Sequence, residues 1–334
     1  MSSVFIIAEI AQAHEGSLGI AHSYIDALAS TGVDAVKFQT HITEAESSAF
    51  EQFRVPFSYE DATRYAYWKR MEFTPEQWAG LKKHCEEKGM EFVSSPFSLA
   101  AVDLLESIGV QRYKIGSGEV SNWLMLEKIA RTGKPIILSS GMSDLNELDE
   151  TIQFLKPFGN PLSLMQCTTA YPTLPSQWGL NAINLLKQRY QLPVGFSDHS
   201  AGIFAGLAAV TLGAELLEFH AVFDKQMFGP DTKASLTIAE IKELVRGVRQ
   251  IEESMHVGYS KNETSQFNEL KIMFGKSLTT NSDLPAGHVL TFNDLESKKP
   301  GNKGIPAKEF QKVLGKRLVS AKKKWDFLSE GDFE

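Results

Sequence analysis

Residues 193–202, PVGFSDHSAG, contain a short apolar run that ends abruptly in a polar segment at His199. Residues 216–223, LLEFHAVF, end in a similar way, with His220 behind an apolar run. Short apolar runs of this kind, bounded by turn residues, are typical of buried β-strands. Two strands about twenty residues apart therefore each end on a histidine, and the fold must explain why.

The same pattern occurs eight times in the first 256 residues, with segments of helical spacing between the apolar runs. Alternation of strand and helix implies parallel pairing of the strands. Eight such units in about 250 residues match a (β/α)8 TIM barrel, and a doubly wound open sheet is the alternative. The eight runs are FIIAEI (5–10), AVKFQT (35–40), EFVSSP (91–96), RYKIGS (112–117), PIILSS (135–140), LSLMQC (162–167), PVGFSD (193–198) and LLEFHA (216–221).

Two of the intervening segments carry clear helix-start signals. Residues 74–89 begin with Thr74, have Pro75 at the first helical position and place Gln77 three residues after the cap. Residues 237–255 repeat this Thr-x-x-acid/amide spacing at their start. A hydroxyl followed three residues later by Glu or Gln is the capping-box pattern, and proline suits the first turn. These segments are therefore predicted helices.

The apolar runs end in polar side chains, and in a barrel those ends surround one mouth, where barrel enzymes place their sites. His199 and His220 end neighbouring strands, so we expect both rings to face one cavity. Two neutral imidazoles in one cavity suit a divalent transition metal, with water or substrate oxygens completing the shell. The alternative is that each histidine is a hydrogen-bonded core residue.

Lys37 and Lys114 lie inside apolar runs, where an ammonium group is costly unless it faces an anion or an acid. Small hydroxyl side chains end the neighbouring strands, and together with the lysines they predict a cradle for phosphate and carboxylate groups. These hydroxyls belong to Ser95, Ser117, Ser139, Thr169 and Ser197. Two alternatives remain: structural ion pairs with Glu9 and Glu119, or Lys114 as a Schiff-base nucleophile.

Four further residues are candidates for acid–base or hydroxyl-binding roles. Glu9 interrupts an otherwise apolar strand, which favours a function over a buried ion pair. Glu119 follows the fourth strand, and Asp231 lies in the loop FGPDTKAS after the eighth. Tyr171 precedes a proline in the extended loop CTTAYPT. A solvated loop position is the alternative for Asp231, and packing at the rim is the alternative for Tyr171.

The composition places the chain among ordinary globular proteins. It has 334 residues, 43% apolar and 22% charged, with a formal net charge of −7, which argues against broad binding to nucleic acid or anionic membranes. Two cysteines do not make a disulfide framework and fit a reducing compartment. The start has no basic region, and no apolar window reaches the ~18 residues of a membrane helix. We expect a soluble, cytoplasmic protein.

The residue composition of the sequence changes near residue 256. Residues 257–274 are polar and are predicted to form a linker. Residues 275–334 contain short apolar pieces, turn signals such as LPAGH and one short helix candidate at 306–315. This predicts a small, mostly β domain after a barrel that occupies residues 1–256.

Read in order, eight stretches of the chain resemble the motifs of sialic acid synthases. The terminal residues resemble that family's antifreeze-like (SAF) domain, so the likeness extends over nearly the whole chain. Ordered motifs at this spacing are specific, although each one alone is weak. The stretches are AEIAQAHEGSL (8–18), AVKFQTH (35–41), SSPFS (94–98), YKIGSGE (113–119), PIILSSGM (135–142), QCTTAYPT (166–173), GFSDHS (195–200) and LEFHAVFDKQMFGPDTKAS (217–235).

The resemblance implies a metal-dependent condensation of phosphoenolpyruvate with an open-chain N-acylated hexosamine. The sugar would be N-acetylmannosamine or a 2,4-diacetamido-trideoxy relative, and the products a nine-carbon 2-keto acid, a nonulosonate, and phosphate. It also implies a homodimer in which the SAF domain of one subunit covers the barrel mouth of its partner. A Schiff-base aldolase using Lys114 and a non-catalytic sugar-binding paralogue are the alternatives.

The resemblance also assigns residues of this sequence to roles. His199 and His220 are implied as ligands of a divalent metal, with Mn²⁺ expected and Mg²⁺ or Co²⁺ as alternatives. The implied phosphoenolpyruvate cradle consists of Lys37, Ser95, Lys114, Ser117, Ser139, Thr169 and Ser197. The residues implied to face the sugar and the reacting centre are Glu9, Gln39, Glu119, Tyr171 and Asp231.

The chain departs from the family pattern at four positions. Ala11 and Ala13 stand where the first motif commonly has Gly and Asn, and Phe219 replaces an arginine before the second histidine. Lys299, in KKPGNKG, stands where a family arginine reaches the sugar site, and lysine offers a point charge in place of a bidentate fork. The reaction class is expected to survive these changes, which bear on the choice of sugar.

Overall fold

The computed structural model describes residues 3–53 and 57–334, and the chain divides into two compact units that meet in sequence between Val257 and Gly258. In the first unit eight parallel strands pair in chain order, and the first strand also pairs with the eighth. The closed (β/α)8 barrel is therefore confirmed and the open sheet is wrong. The strands are β1 (Phe5–Glu9), β2 (Ala35–Thr40), β3 (Glu91–Pro96), β4 (Tyr113–Ile115), β5 (Ile136–Ser139), β6 (Leu162–Cys167), β7 (Val194–Asp198) and β8 (Leu216–Val222).

Helices follow the strands, and the connection between β2 and β3 differs from the others in carrying three of them. A short strand, β9 (Leu236–Thr237), pairs with the end of β8 before the last barrel helix. None of the helices in the described residues is both long enough and apolar enough to span a membrane. The barrel helices are α1 (Leu18–Ala29), α2 (Thr43–Glu46), α3 (Arg64–Met71), α4 (Pro75–Glu87), α5 (Leu99–Ile108), α6 (Trp123–Ala130), α7 (Leu145–Leu155), α8 (Asn181–Tyr190), α9 (Phe204–Thr211) and α10 (Ile238–His256).

The predicted helix-start signals form capping-box hydrogen bonds in the structure. The Thr74 side chain accepts a hydrogen bond from the Gln77 backbone N–H, and the Gln77 side chain accepts one from the Thr74 backbone N–H. Thr237 and Glu240 form the same reciprocal pair at the start of α10. Each box satisfies backbone N–H groups that have no partner inside the helix. The two predicted helices are therefore confirmed at their first residues.

Strand period two explains how the barrel interior is filled, because residues two apart on a strand point to the same face. One buried apolar cluster consists of Ile7, Ala35, Val93, Ile137, Met165 and Leu216. Two residues further along each of these strands lies another buried residue, and all of these except the cysteine are polar or charged: Glu9, Lys37, Ser95, Ser139, Cys167 and Glu218. An apolar plug thus lies one layer below a ring that is almost entirely polar.

Gly195 on β7 is a tight point in this packing. A Cβ added there would lie 2.6 Å from both the Cβ and the carbonyl oxygen of Leu216 on the neighbouring strand. We expect Gly195→Ala to lower the free energy of unfolding by about 2 kcal/mol or more, because the backbone must move to make room. Gly80→Ala in α4 is the matched control, since nothing lies within 4 Å of its added Cβ.

Urea unfolding followed by circular dichroism measures both variants. Gly80→Ala should be neutral or stabilising by up to about 1 kcal/mol, because alanine is the better helix former and restricts the unfolded chain. Equal effects of the two substitutions would contradict the packing at Gly195.

The second unit is small and mostly β, as the sequence predicts. Strands β10 (Ser277–Thr280) and β11 (Leu295–Lys298) pair antiparallel. The segment predicted as a linker carries a short helix, α11 (Asn268–Phe274), and the predicted helix at 306–315 is a 3₁₀ segment at Ala307–Lys312. Its own buried cluster consists of Leu278, Leu284, Leu290, Ile305, Val313, Leu318 and Leu328.

Candidate active site

A cavity of about 390 Å³ opens at the carboxyl ends of the barrel strands. Every barrel residue that the sequence predicts for the site lines this cavity. Lys299 belongs to the second unit, where its side chain is exposed and its Nζ lies 4.9 Å from the centre of the Phe274 ring. The predicted residues that line the cavity are Glu9, Lys37, Gln39, Ser95, Lys114, Ser117, Glu119, Ser139, Thr169, Tyr171, Ser197, His199, His220 and Asp231.

Two buried ion pairs form the floor of the cavity. Lys37 donates to Glu9, and Lys114 Nζ donates to Glu218 Oε1 at 2.7 Å. Ser197 Oγ also donates to Glu218 Oε1, at 3.1 Å. The ion-pair alternative is thus right in kind but wrong in one partner, because Lys114 pairs with Glu218 and not with Glu119. Parallel register produces two of these contacts, since Glu9 is paired with Lys37 and Ser197 with Glu218 across adjacent strands.

Sequence reasoning missed Glu218, although a signal was available. Glu218 interrupts an apolar strand as Glu9 does, and it stands two residues before His220, so both point to one face. Within the described residues, Oε2 of Glu218 is buried without a hydrogen-bond partner. A buried carboxylate oxygen in that state favours a ligand that brings a donor or a cation to the floor.

The charge state of Lys114 bears on the aldolase alternative. Burial by itself would lower the pKa of Lys114, but the carboxylates of Glu218 and Glu9 outweigh burial and raise the pKa above its ordinary value. The side chain is therefore an ammonium group at neutral pH. A Schiff base requires an unprotonated amine, so this environment favours anion binding over nucleophilic attack by Lys114.

Glu9 is held in its ionised form. Burial would raise the pKa of Glu9, but the charges of Lys37, His220 and Lys114 together hold the pKa well below its ordinary value. Gln39 Nε2 donates to Glu9 Oε1 at 2.8 Å, which adds to the stabilisation of the carboxylate. At neutral pH such a group has no proton to donate, and its lowered pKa makes it a weak base.

The two predicted imidazoles lie side by side. The ring centres of His199 and His220 are 5.2 Å apart, and the ring of Tyr171 is 4.2 Å from that of His199. Burial, followed by the neighbouring charge of His220, lowers the pKa of His199 to about 3. His199 Nδ1 lies 3.0 Å from the Thr168 carbonyl oxygen, so the neutral ring donates there and presents the Nε2 lone pair.

This donor set fits a metal ion with an incomplete protein shell. A neutral imidazole oriented by a backbone carbonyl is the usual form of a histidine ligand. His220 Nε2 lies 3.2 Å from Glu9 Oε2, so a carboxylate is adjacent to the second imidazole. Across residues 3–53 and 57–334, no group of three or more His, Cys, Asp or Glu side chains has the arrangement of a complete cage. Substrate or water oxygens would have to supply the remaining ligands.

Gly141, which sequence reasoning also missed, keeps the hydroxyl groups of the cradle close together. Its backbone N–H donates to Ser117 Oγ at 3.1 Å, and Ser117 Oγ lies 3.2 Å from Cys167 Sγ. A Cβ at Gly141 would lie 2.5 Å from Cys167 Sγ, 2.7 Å from Ser117 Oγ and 2.8 Å from Thr169 Oγ1. The space beside these three side chains therefore admits only a hydrogen atom.

If these hydroxyls bind phosphoenolpyruvate, as the sequence resemblance implies, we expect Gly141→Ala to raise the KM for that anion by about tenfold or more, because the methyl group must displace them. Steady-state kinetics with phosphoenolpyruvate as the varied substrate measure this change. The KM for the sugar should change less. Gly118→Ala is the control, since its added Cβ would meet only the flexible end of Met142, at 3.6 Å.

The connection between β2 and β3 builds one side of the cavity. His41 is buried there, with its ring 3.8 Å from that of Trp68 and 4.6 Å from that of Phe97. His41 Nδ1 contacts Glu46 Oε1 at 2.7 Å. The sequence gives no signal for this stacking, because it joins residues that are far apart in the chain.

Charged side chains also lie on the side of the cavity that the β2–β3 connection builds. The Arg64 guanidinium lies 4.1 Å above the Trp68 ring, and its Nε is 3.5 Å from Glu51 Oε1. Trp68 Nε1 also donates to Glu51, at 3.1 Å. Half-buried Glu119 has its pKa raised by burial, a shift to which the charge of Glu46 also contributes.

Comparison with known proteins gives one consistent result. The model of the NeuB family matches residues 24–260, and the model of the SAF domain matches residues 275–334. An N,N'-diacetyllegionaminic acid synthase from Campylobacter jejuni is 35% identical, with 99% of this chain and 100% of the relative covered. The N-acetylneuraminate-9-phosphate synthase of Homo sapiens is 32% identical over 98% of this chain and 91% of its own length.

A solved structure agrees with these matches. The N-acetylneuraminic acid synthetase from Leptospira borgpetersenii, crystallised with citrate, superposes with a TM-score of 0.71 at 32% identity. The superposition covers 81% of this chain and 91% of that one.

Proposed function

The chain belongs to the NeuB family, and from this premise we propose that it condenses phosphoenolpyruvate with an open-chain N-acylated hexosamine. The product would be a nine-carbon 2-keto acid of the sialic or legionaminic type, with release of inorganic phosphate. One observation carries the proposal: cationic lysines, hydroxyl groups and a pair of adjacent imidazoles line a single cavity at the barrel mouth.

Phosphoenolpyruvate would occupy the floor of the cavity. Its phosphate and carboxylate need cationic and hydroxyl donors, and Lys37 and Lys114 supply ammonium groups that keep N–H donors beyond those given to Glu9 and Glu218. The hydroxyl donors would be Ser95, Ser117, Ser139, Thr169 and Ser197. Because each lysine has a carboxylate partner, neither buried ammonium group is unpaired when the cavity is empty. The remaining N–H groups of the two lysines can then donate to an anion.

His199 and His220 would hold a divalent metal, for which Mn²⁺ is the first choice and Mg²⁺ or Co²⁺ the alternatives. When bound, the metal supplies Lewis-acid polarisation of the sugar aldehyde. The role of the chain itself is to hold the two reactants in register, with C3 of phosphoenolpyruvate facing C1 of the open-chain sugar.

Proton handling falls to the carboxylates. After the carbon–carbon bond forms, water adds at C2 of the former phosphoenolpyruvate, and the tetrahedral intermediate loses phosphate. Glu9, which is ionised, would handle a proton near the aldehyde oxygen or near this water. Gln39, Glu119, Tyr171 and Asp231 would bind the hydroxyl and acylamino groups of the sugar.

The proposal extends to the assembly and its surroundings. A homodimer is expected in which the second unit of each copy covers the barrel mouth of the other, so that Lys299 contacts the sugar. The two cysteines, Cys85 and Cys167, are both free thiols, which fits a cytoplasmic setting. Light scattering of the purified protein tests the dimer, and a monomer at working concentration would contradict it.

Phosphate release tests the function. The purified chain is incubated with phosphoenolpyruvate, Mn²⁺ and a panel of 2-acetamido and 2,4-diacetamido hexoses, with sugar-free and EDTA-treated samples as controls. Sugar-dependent phosphate release with formation of a 2-keto acid is expected. Borohydride trapping on Lys114 without phosphate release would indicate the aldolase, and sugar binding without turnover would indicate the non-catalytic paralogue.

A further inference from the structure

Gln12 lines the cavity but has no role in the proposed function. It lies in the turn between β1 and α1, and its side chain is buried. Nε2 of Gln12 donates a hydrogen bond to Oε1 of Gln39 on β2. Gln39 in turn donates to Glu9, so Gln12 is bonded directly to a residue that contacts the reacting centre.

The backbone next to Gln12 is strained. Ala11 has a φ of 47°, in the left-handed region that an alanine rarely adopts because its Cβ crowds the backbone there. Residues in this state cost free energy, persist only where the surrounding structure holds them, and concentrate at functional sites. Ala11 directly precedes Gln12, so the conformation that presents Gln12 to Gln39 costs backbone free energy.

Both N–H groups of the Gln12 side chain have an acceptor, since an amide nitrogen carries two of them. One is donated to Gln39 Oε1, and the nitrogen also lies 3.1 Å from Nε2 of His41. On the other side of the His41 ring, Nδ1 lies 2.7 Å from Glu46 Oε1. Because an ionised carboxylate can only accept, the hydrogen of a neutral ring is on Nδ1, which leaves Nε2 to accept from Gln12.

The ring of His41 is held in place beside Gln12. It is buried between the rings of Trp68 and Phe97, whose centres lie 3.8 Å and 4.6 Å from its own. His41 Nε2 also lies 3.3 Å from Gln39 Oε1, so a proton on this nitrogen would be donated to the same oxygen. Gln39 Oε1 therefore faces an N–H donor in either charge state of the ring.

The orientation of the Gln39 amide decides what Glu9 meets. With Oε1 held by Gln12, Nε2 of Gln39 donates to Glu9 Oε1 at 2.8 Å. The reversed amide would place its oxygen against the carboxylate, and two acceptors repel each other. Oε1 of Glu9 also accepts from Lys37, while Oε2 lies 3.2 Å from His220 Nε2. The two donors thus fix one oxygen of the carboxylate and leave the other toward the imidazole.

We propose that Gln12 and His41 are positioning residues, which hold the Gln39 amide in the orientation that donates to Glu9. The inference rests on the proposed function, since the position of the Glu9 carboxylate affects turnover only if that group handles a proton in the reaction. A reacting group that is already fixed avoids an entropic cost in the transition state. The loss of Gln12 should therefore lower kcat more than it raises the KM for phosphoenolpyruvate.

Steady-state kinetics of a double-mutant cycle test the inference. Gln12→Met keeps the length of the side chain and removes both N–H donors, and we expect it to lower kcat about tenfold while the KM for phosphoenolpyruvate changes less than about twofold. In a Gln39→Met background the same substitution should change kcat less than about twofold, because no amide is left to orient. Losses that multiply in the double variant would show that Gln12 acts independently of Gln39 and would overturn the inference.

Two further variants complete the cycle. Gln188→Met, at an exposed side chain on α8, is the matched control and should leave kcat and KM as in the unmodified chain. His41→Phe keeps a flat ring and removes both ring nitrogens, and it should lower kcat about threefold. A kcat for His41→Phe equal to that of the unmodified chain would overturn the role of His41. Thermal unfolding checks that each variant is folded.

A measurement without turnover separates this inference from the proposed function. Exchange of the Gln39 side-chain amide hydrogens with solvent is followed by nitrogen-15 NMR, with the signals identified by their absence from Gln39→Met. We expect exchange to be about tenfold faster in Gln12→Met, because the amide is no longer held. An equal rate would overturn the inference and leave the proposed function standing. Faster exchange in a protein that releases no phosphate with any sugar would overturn the proposed function and leave the orientation of Gln39 by Gln12 standing.

Discussion

Replacing Lys114 with methionine is expected to abolish phosphate release and to lower the free energy of unfolding by about 3–5 kcal/mol. The loss of stability follows because Lys114 is the close cationic partner of Glu218, and both side chains are almost fully buried. Lys37 lies 3.9 Å from the same carboxylate oxygen but is already paired with Glu9. On the proposed function, the loss of activity follows because phosphoenolpyruvate would lose one of its two ammonium partners.

A double variant distinguishes these two effects. Lys114→Met with Glu218→Gln removes the unpaired carboxylate, so most of the lost stability should return while phosphate release remains absent. Urea unfolding and the phosphate assay measure the two quantities separately. Lys83→Met, at a side chain that is 76% exposed, is the control and should change neither. Unchanged stability and activity of Lys114→Met would show that the buried ion pair neither stabilises the fold nor supports phosphate release.

Replacing His199 with alanine is expected to weaken Mn²⁺ binding by at least about a hundredfold and to remove phosphate release at ordinary metal concentrations. The neutral ring, oriented by the Thr168 carbonyl, is the better defined of the two proposed ligands. Because this expectation rests on the proposed metal, the measurement is direct: Mn²⁺ binding followed by electron paramagnetic resonance, in the absence of substrate.

His256→Ala serves as the control for this experiment, because His256 ends α10 and its side chain is exposed. Binding of Mn²⁺ by that variant should equal binding by the unmodified chain. Turnover by His199→Ala at the original rate, or undiminished Mn²⁺ binding, would remove His199 from the metal site. Thermal unfolding of each variant checks that the barrel is intact.

The sequence predicts the barrel because its strongest signals are local. Eight short apolar runs, separated by segments with helical spacing, leave few topologies, and the caps at Thr74 and Thr237 need only residues three positions away. The polar strand ends likewise predict a shared mouth, because parallel strands in a barrel all end on one side.

The details of the site depend on contacts between strands that are far apart in the chain. Lys114 lies in β4 and Glu218 in β8, so their pairing follows from closure of the barrel across its interior and not from spacing along the sequence. For the same reason the sequence could offer Glu119, a near neighbour of Lys114, as an ion-pair partner that the structure does not use.

The sequence by itself determined the fold class, the order of the elements and the kinds of side chain that meet at the mouth, because periodicity and capping act over a few residues. Tertiary structure alone decided which carboxylate neutralises which lysine, why Gly141 admits no methyl group and how the β2–β3 connection brings Glu46, Glu51 and Trp68 to the cavity. These outcomes depend on distances of a few ångströms between remote segments, and such distances exist only once the barrel has closed.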